Sequence, residues 1–210
     1  MKKWGKVMKI LFATTNEAKI KRFKENLEKY EIEILSIKDL DFTLSINENG
    51  KNAIENAYIK AKAYYDETNI ITIAMDDNLY IEGIPDELQP GTHVRRVNGK
   101  ELLDDEMIIH YTGFCKKYGE KLNCKWVYGL VIFIDGNAYE YSWSKGGFYL
   151  VSKPTSNRNV GYPLNSITVS EKYGKYLTDL TKEEKSLDKN SNDEGVVHFI
   201  LNTLNINKNS

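Results

Sequence analysis

Apolar and polar positions along the chain switch between a helical period and a strand period, and the order of the switches predicts the architecture. Lys9-Ile10-Leu11-Phe12-Ala13-Thr14 is a short apolar run of strand formers that ends in a polar Thr14-Thr15-Asn16 turn. Ile20, Phe23 and Leu27 then recur at helical spacing with Lys and Glu on the other face, which predicts a helix capped by Asn16 with Glu17 in its first turn. Residues 31–37 alternate as a second strand, and residues 52–65 predict a second helix with Ile54, Ala57 and Ala61 on one stripe. Residues 70–74 are a β-branched run expected to form a buried strand that stops at Met75-Asp76-Asp77. Beyond a loop at 85–91, residues 103–118 return to the helical period through Met107, Ile108, Tyr111, Phe114 and Cys115. Residues 126–134 and 138–143 read as strands flanking the hairpin signal Asp135-Gly136-Asn137. Residues 196–204 predict a closing helix. Strand–helix alternation followed by a hairpin implies an α/β fold, a mixed β-sheet with flanking helices.

Composition narrows this picture without redirecting it. The length of 210 residues suits one domain, taken as residues 9–204, with residues 1–8 as a flexible extension and 205–210 as a frayed tail. Hydrophobic residues at 41% and charged residues at 28% are ordinary for a globular protein. A formal net charge of −1 argues against a nucleic-acid polymer or a membrane surface as partner. The N-terminal residues are basic, but the apolar run behind them is too short for a signal peptide, and no stretch suffices to cross a bilayer, so a cytoplasmic protein is expected. Cys115 and Cys124 lack metal or disulfide spacing and read as buried thiols. His93, His110 and His198 are scattered, which disfavours zinc.

Three clusters bear on chemistry. Thr14-Thr15-Asn16-Glu17-Ala18-Lys19 joins a strand to a helix, and such a turn offers N–H groups and the positive end of a helix dipole to a phosphate, although a capped helix with a surface lysine has the same sequence. Glu48-Asn49-Gly50 precedes Glu55-Asn56-Ala57-Tyr58-Ile59-Lys60-Ala61; Glu48 reads as a metal ligand or a polar loop residue, and Lys60, five residues after Glu55 and so no i, i+4 partner of it, as a solvated helix face. Asp76 and Asp77 follow the β-branched run, where two neighbouring carboxylates call for solvent or a cation such as Mg²⁺; the alternative is an acidic turn.

Taken in order, these clusters, Pro90-Gly91 with Arg96 beyond, and Leu180-Thr181-Lys182-Glu183-Glu184-Lys185-Ser186 resemble the house-cleaning inosine/xanthosine triphosphate pyrophosphatases. The resemblance runs from Lys9 to Ser186. It implies an α/β fold of two lobes around a central cleft, a homodimer, and Mg²⁺-dependent cleavage (Mn²⁺ as substitute) of a nucleoside triphosphate to monophosphate and pyrophosphate. It implies catalytic roles for Asp77 and Lys19, with Asp77 as general base, and metal ligation by Glu48, Asp77 and Asp76. Thr14, Thr15, Asn16, Lys19, Lys60, Asn78, Gly161, Tyr162 and Lys185 are the implied substrate contacts, with Asn78 standing where relatives have serine.

The base-reading half departs from that pattern. The glycine of a DDSGL segment is missing after Asn78, the GFGYDP segment appears as Asn159-Val160-Gly161-Tyr162-Pro163, and no SHR triplet follows Lys185. Tyr162 and Trp143 are candidates to stack on a base, with packing the stronger expectation for Trp143. A nucleotide-binding or regulatory relative with weakened turnover is the alternative function, and a structural or interaction protein the third.

Overall fold

A computed structural model describes residues 7–206, so most of the expected N-terminal extension and C-terminal tail lies outside the described residues. The first apolar run forms β1 (Met8–Phe12). Asn16 opens α1 (Glu17–Leu27), its carbonyl accepting the N–H groups of Lys19 and Ile20 at 3.0 and 3.3 Å. Then follow β2 (Ile32–Ser36) and α2 (Ala53–Thr68), which is capped by Asn52 accepting the Glu55 N–H at 2.9 Å. Next come β3 (Thr72–Ile81), a short hairpin of β4 (Arg96–Val97) and β5 (Lys100–Glu101), and α3 (Asp104–Tyr118). β6 (Lys121–Ile134), β7 (Asn137–Val151), β8 (Thr168–Ser170) and α4 (Lys182–Thr203) complete the chain.

Six strands form one sheet in the order β2-β1-β3-β6-β7-β8. It is mixed, as expected: β1 runs parallel to β2 and β3, and β7 antiparallel to β8. Asp135 and Gly136 adopt positive φ (51° and 74°), which makes the two-residue β6–β7 turn of the kind that matches strand twist. Among the described residues no helix is long and apolar enough to cross a membrane.

The chain divides into two compact units, one of residues 7–76, 129–142 and 191–206, the other of residues 77–128 and 143–190. In the first, Ala57, Ala61 and Tyr64 of α2 pack with Leu11, Ala74, Val131 and Phe133 of the sheet. Small residues let the helix lie close, and Gly129 of β6 lets it lie closer still: a Cβ there would fall 2.5 Å from the Ile54 nitrogen. In the second unit, Met107, Ile108, Tyr111 and Cys115 of α3 pack with Leu79, Leu122, Cys124, Phe148 and Leu150. The buried Tyr111 hydroxyl donates to the Val94 carbonyl at 2.9 Å.

Three boundaries differ from expectation. β3 does not stop at Asp76-Asp77; it continues to Ile81, because Leu79 and Ile81 have core positions to fill. The two carboxylates are therefore inside a strand, neither at its carboxyl end nor in an acidic turn. The hairpin strands run beyond residues 126–134 and 138–143 at their far ends. The last helix begins at Lys182 rather than residue 196: Thr181 and Glu184 form a capping box, with Thr181 N–H donating to the Glu184 carboxylate at 2.8 Å and Glu184 N–H to the Thr181 hydroxyl at 3.2 Å. Its polar middle hides the helical period.

Candidate functional site

The turn after β1 is shaped by its own side chains. Thr14 donates its N–H to the Phe12 carbonyl at 2.7 Å, and its hydroxyl accepts the Asn16 N–H at 3.1 Å. Lys19 sits in the first turn of α1, half-buried, while Thr15 is exposed. The register pairs Phe12 with Ile73, and Ala13 N–H reaches the Ile73 carbonyl at 2.7 Å, so this turn leaves the sheet at the level of residues 74–76 of β3. It presents a helix N-terminus, with its partial positive charge, at that level.

The segment Glu48-Asn49-Gly50 is bound to the first two turns of α2. Lys60 Nζ lies 2.8 Å from Glu48 Oε2, and the two side chains are only 14% and 31% exposed. Lys60 is thus no solvated helix face. Glu55 is occupied elsewhere, accepting from Lys51 N–H at 2.8 Å and from the Asn52 amide at 3.1 Å. Asn56, 2% exposed, ties three segments together: its Oδ1 accepts the Gly50 N–H at 2.8 Å, and its Nδ2 donates to Asp76 Oδ2 at 2.9 Å. Gly50 has to be glycine for this contact, because a Cβ would meet Asn56 Oδ1 at 2.7 Å.

Glu48, Lys60, Asn56 and Asp76 are thereby connected through one helix, one loop and one strand of the first unit. Sequence reasoning named three of them and missed Asn56. Its signal was present: Ala53, Ala57, Ala61 and Tyr64 mark the buried stripe of α2, and Asn56 and Lys60 are polar residues adjoining it. Asp76 also shares the parity of Ala74, which packs on α2, whereas Asp77 has the opposite parity along the strand.

The remaining candidates belong to the second unit. Asp77 is half-buried. Asn78 is 1% exposed; its amide nitrogen lies 3.3 Å from the Tyr80 hydroxyl, and its Oδ1 has no hydrogen-bond donor among the described residues. Gly161 takes φ of 81° in the turn that closes with Tyr162 N–H donating to the Asn159 carbonyl at 3.0 Å. Lys185 Nζ donates to the Thr178 carbonyl at 3.3 Å from the first turn of α4. Trp143 stacks on Tyr128, ring centroids 4.9 Å apart and planes within 14°, which bears out packing for that ring. Both cysteines are free and buried, and burial raises their thiols to about 11 (Cys115) and about 12 (Cys124).

The profile of the Ham1 family matches residues 10–188, which covers every cluster described above. The chain belongs to the Ham1 family. Among curated Ham1 relatives, it is 32% identical over 187 residues to the dITP/XTP pyrophosphatase of Aquifex aeolicus, covering 85% of this chain and 89% of that one. It is 27% identical over 180 residues to the dITP/XTP pyrophosphatase of Bacillus subtilis, with 84% and 87% covered. The Staphylococcus aureus Ham1 protein superposes with a TM-score of 0.74 at 20% identity, over 93% of this chain and 99% of that one. A HAM1 protein from Coxiella burnetii gives 0.73 at 18% identity, over the same shares. These two structures support the Ham1 fold, an α/β fold with a mixed sheet.

Proposed function

We propose that this Ham1 protein is a nucleoside-triphosphate pyrophosphatase that cleaves a non-standard purine ribo- or deoxyribonucleoside triphosphate between the α- and β-phosphates with the help of Mg²⁺. Family membership and full-length similarity to dITP/XTP pyrophosphatases support the reaction class. The observation that carries it in the structure is the half-buried assembly of Glu48, Lys60, Asn56 and Asp76 at the level where the phosphate-type turn leaves the sheet.

The carboxylates suit the metal. Mg²⁺ takes hard oxygen donors and is held by one or two carboxylates together with waters and substrate phosphates, not by a full protein cage. Among the described residues no group of three His, Cys, Asp or Glu side chains forms such a cage. Glu48 and Asp76 would hold the ion, and Mn²⁺ would substitute; Asp77 as a further ligand rests on the family resemblance alone, since these three carboxylates do not group together among the described residues. When bound, the ion neutralises charge on the phosphoryl oxygens. Lys60 and Lys19, with the Thr14, Thr15 and Asn16 turn, hold the phosphates and the leaving pyrophosphate. Asp77 orients and deprotonates the attacking water. For the base we assign Asn78, Gly161, Tyr162 and Lys185. A homodimer working in the cytoplasm accords with this reading.

Pyrophosphate release from XTP, ITP, dITP and the standard triphosphates, with and without Mg²⁺, tests the reaction. Asp77→Asn is expected to lower turnover by about 10²–10⁴-fold, the usual worth of a positioned general base. Asp76→Asn is expected instead to raise the Mg²⁺ concentration needed for half-maximal rate. An Asp77→Asn protein as active as the wild type, or no release from any triphosphate, would overturn the proposal. The missing SHR triplet favours one second reading, a nucleotide-binding relative with weakened turnover. Saturable nucleotide binding without hydrolysis is its signature.

A further inference from the structure

Every buried polar group needs a partner, and a side-chain amide can satisfy a donor and an acceptor at once. Asn56 uses both ends of its amide across 20 residues of sequence in one direction and six in the other. The orientation of that amide is forced. Gly50 N–H can only donate, so it must meet Oδ1, and the Asp76 carboxylate can only accept when ionised, so it must meet Nδ2. Turning the amide over would set donor against donor and acceptor against acceptor.

We infer that Asn56 is a positioning residue for the metal-holding carboxylates. Its Nδ2 fixes the rotamer of Asp76, and its Oδ1 anchors the loop that carries Glu48, two residues before Gly50. The one side chain thereby locks both carboxylates to α2 before any ligand arrives. Lys60, one turn further along the same helix, pairs directly with the Glu48 carboxylate at 2.8 Å. Asn56 is 2% exposed, so both of its bonds are made out of solvent in the native chain. Partners of this kind, hydrogen-bonded to a metal ligand without touching the metal, typically contribute about 10–100-fold to metal affinity.

The inference rests on the metal reading above, and the test separates the two. Mn²⁺ binding is measured directly, by calorimetry or by the loss of the free-ion resonance signal, on the full chain without nucleotide. Asn56→Ala is expected to bind Mn²⁺ about 10–100-fold more weakly than wild type. The control is Thr68→Val, which removes another hydrogen bond of α2, the one its hydroxyl donates to the Tyr64 carbonyl at 2.7 Å at the far end of the helix, away from the loop that carries Glu48. It is expected to melt earlier and to bind Mn²⁺ as the wild type does, so a merely structural role for Asn56 would make the two variants alike. Should Asn56→Ala not fold, Asn56→Ser, too short to span both partners, takes its place with the same readout. Equal Mn²⁺ affinity in wild type and the Asn56 variant overturns the inference alone. A wild-type chain that takes no Mn²⁺ overturns the metal reading and this inference with it.

Discussion

A Cβ on Gly129 would come within 2.5 Å of the Ile54 nitrogen and 2.6 Å of the Ala53 carbonyl carbon, atoms of backbone that no rotamer change can move. The first turn of α2, which places Asn56 and then Lys60, therefore seats directly on β6 only because residue 129 has no side chain. Gly129→Ala is expected to cost about 1–3 kcal/mol, as overpacking of a tight contact does. A thermal melt reads this as a fall of about 2–4 °C per kcal/mol for a chain of this size. An unchanged melting temperature would show that α2 has room to shift. The same geometry explains Gly50, and so gives the spacing from Glu48 through Gly50 to Asn56 a steric cause.

At the scale of elements, the last helix is the clearest case of a boundary set by capping instead of by apolar period. Thr181 and Glu184 satisfy one another's N–H groups at its start, and Lys175 adds an ion pair to Glu184 at 2.7 Å. Removing the cap by Thr181→Ala should cost about 1 kcal/mol, seen as a melting temperature lower by about 2–4 °C. Because Thr181 is no member of the Glu48, Lys60, Asn56 and Asp76 assembly, Mn²⁺ affinity should stay at the wild-type value. β3 makes the complementary point: its apolar residues 79 and 81 carry the strand past two carboxylates, so Asp76 and Asp77 are held by strand backbone on both sides.

For the whole molecule, the two thiols report on how firmly the second unit's core is closed. Cys115 and Cys124 are buried in one cluster with thiols raised to about 11 and about 12, so at neutral pH both are protonated and sheltered. Neither is expected to react with a disulfide reagent in the native protein at pH 7.5, and both should react in denaturant. Rapid labelling of the native chain would show that this core opens locally. A nucleotide that binds the folded chain with Mg²⁺ should raise the melting temperature, by the equivalent of about 2.7 kcal/mol at a hundredfold excess over its dissociation constant.

The amino-acid sequence alone determined the strands and helices that carry a clean period, the β6–β7 turn, the burial of the cysteines and, through the motifs from Thr14 to Ser186, the family. Those features are local: each is a burial pattern or a cap written within one element. The tertiary structure alone decided that Lys60 pairs with Glu48 and not with a helix neighbour, that Asn56 joins Gly50 to Asp76, and that β3 runs on to Ile81. These depend on segments separated in sequence meeting in space, and no periodicity along the chain records which polar group will answer another once both are removed from water.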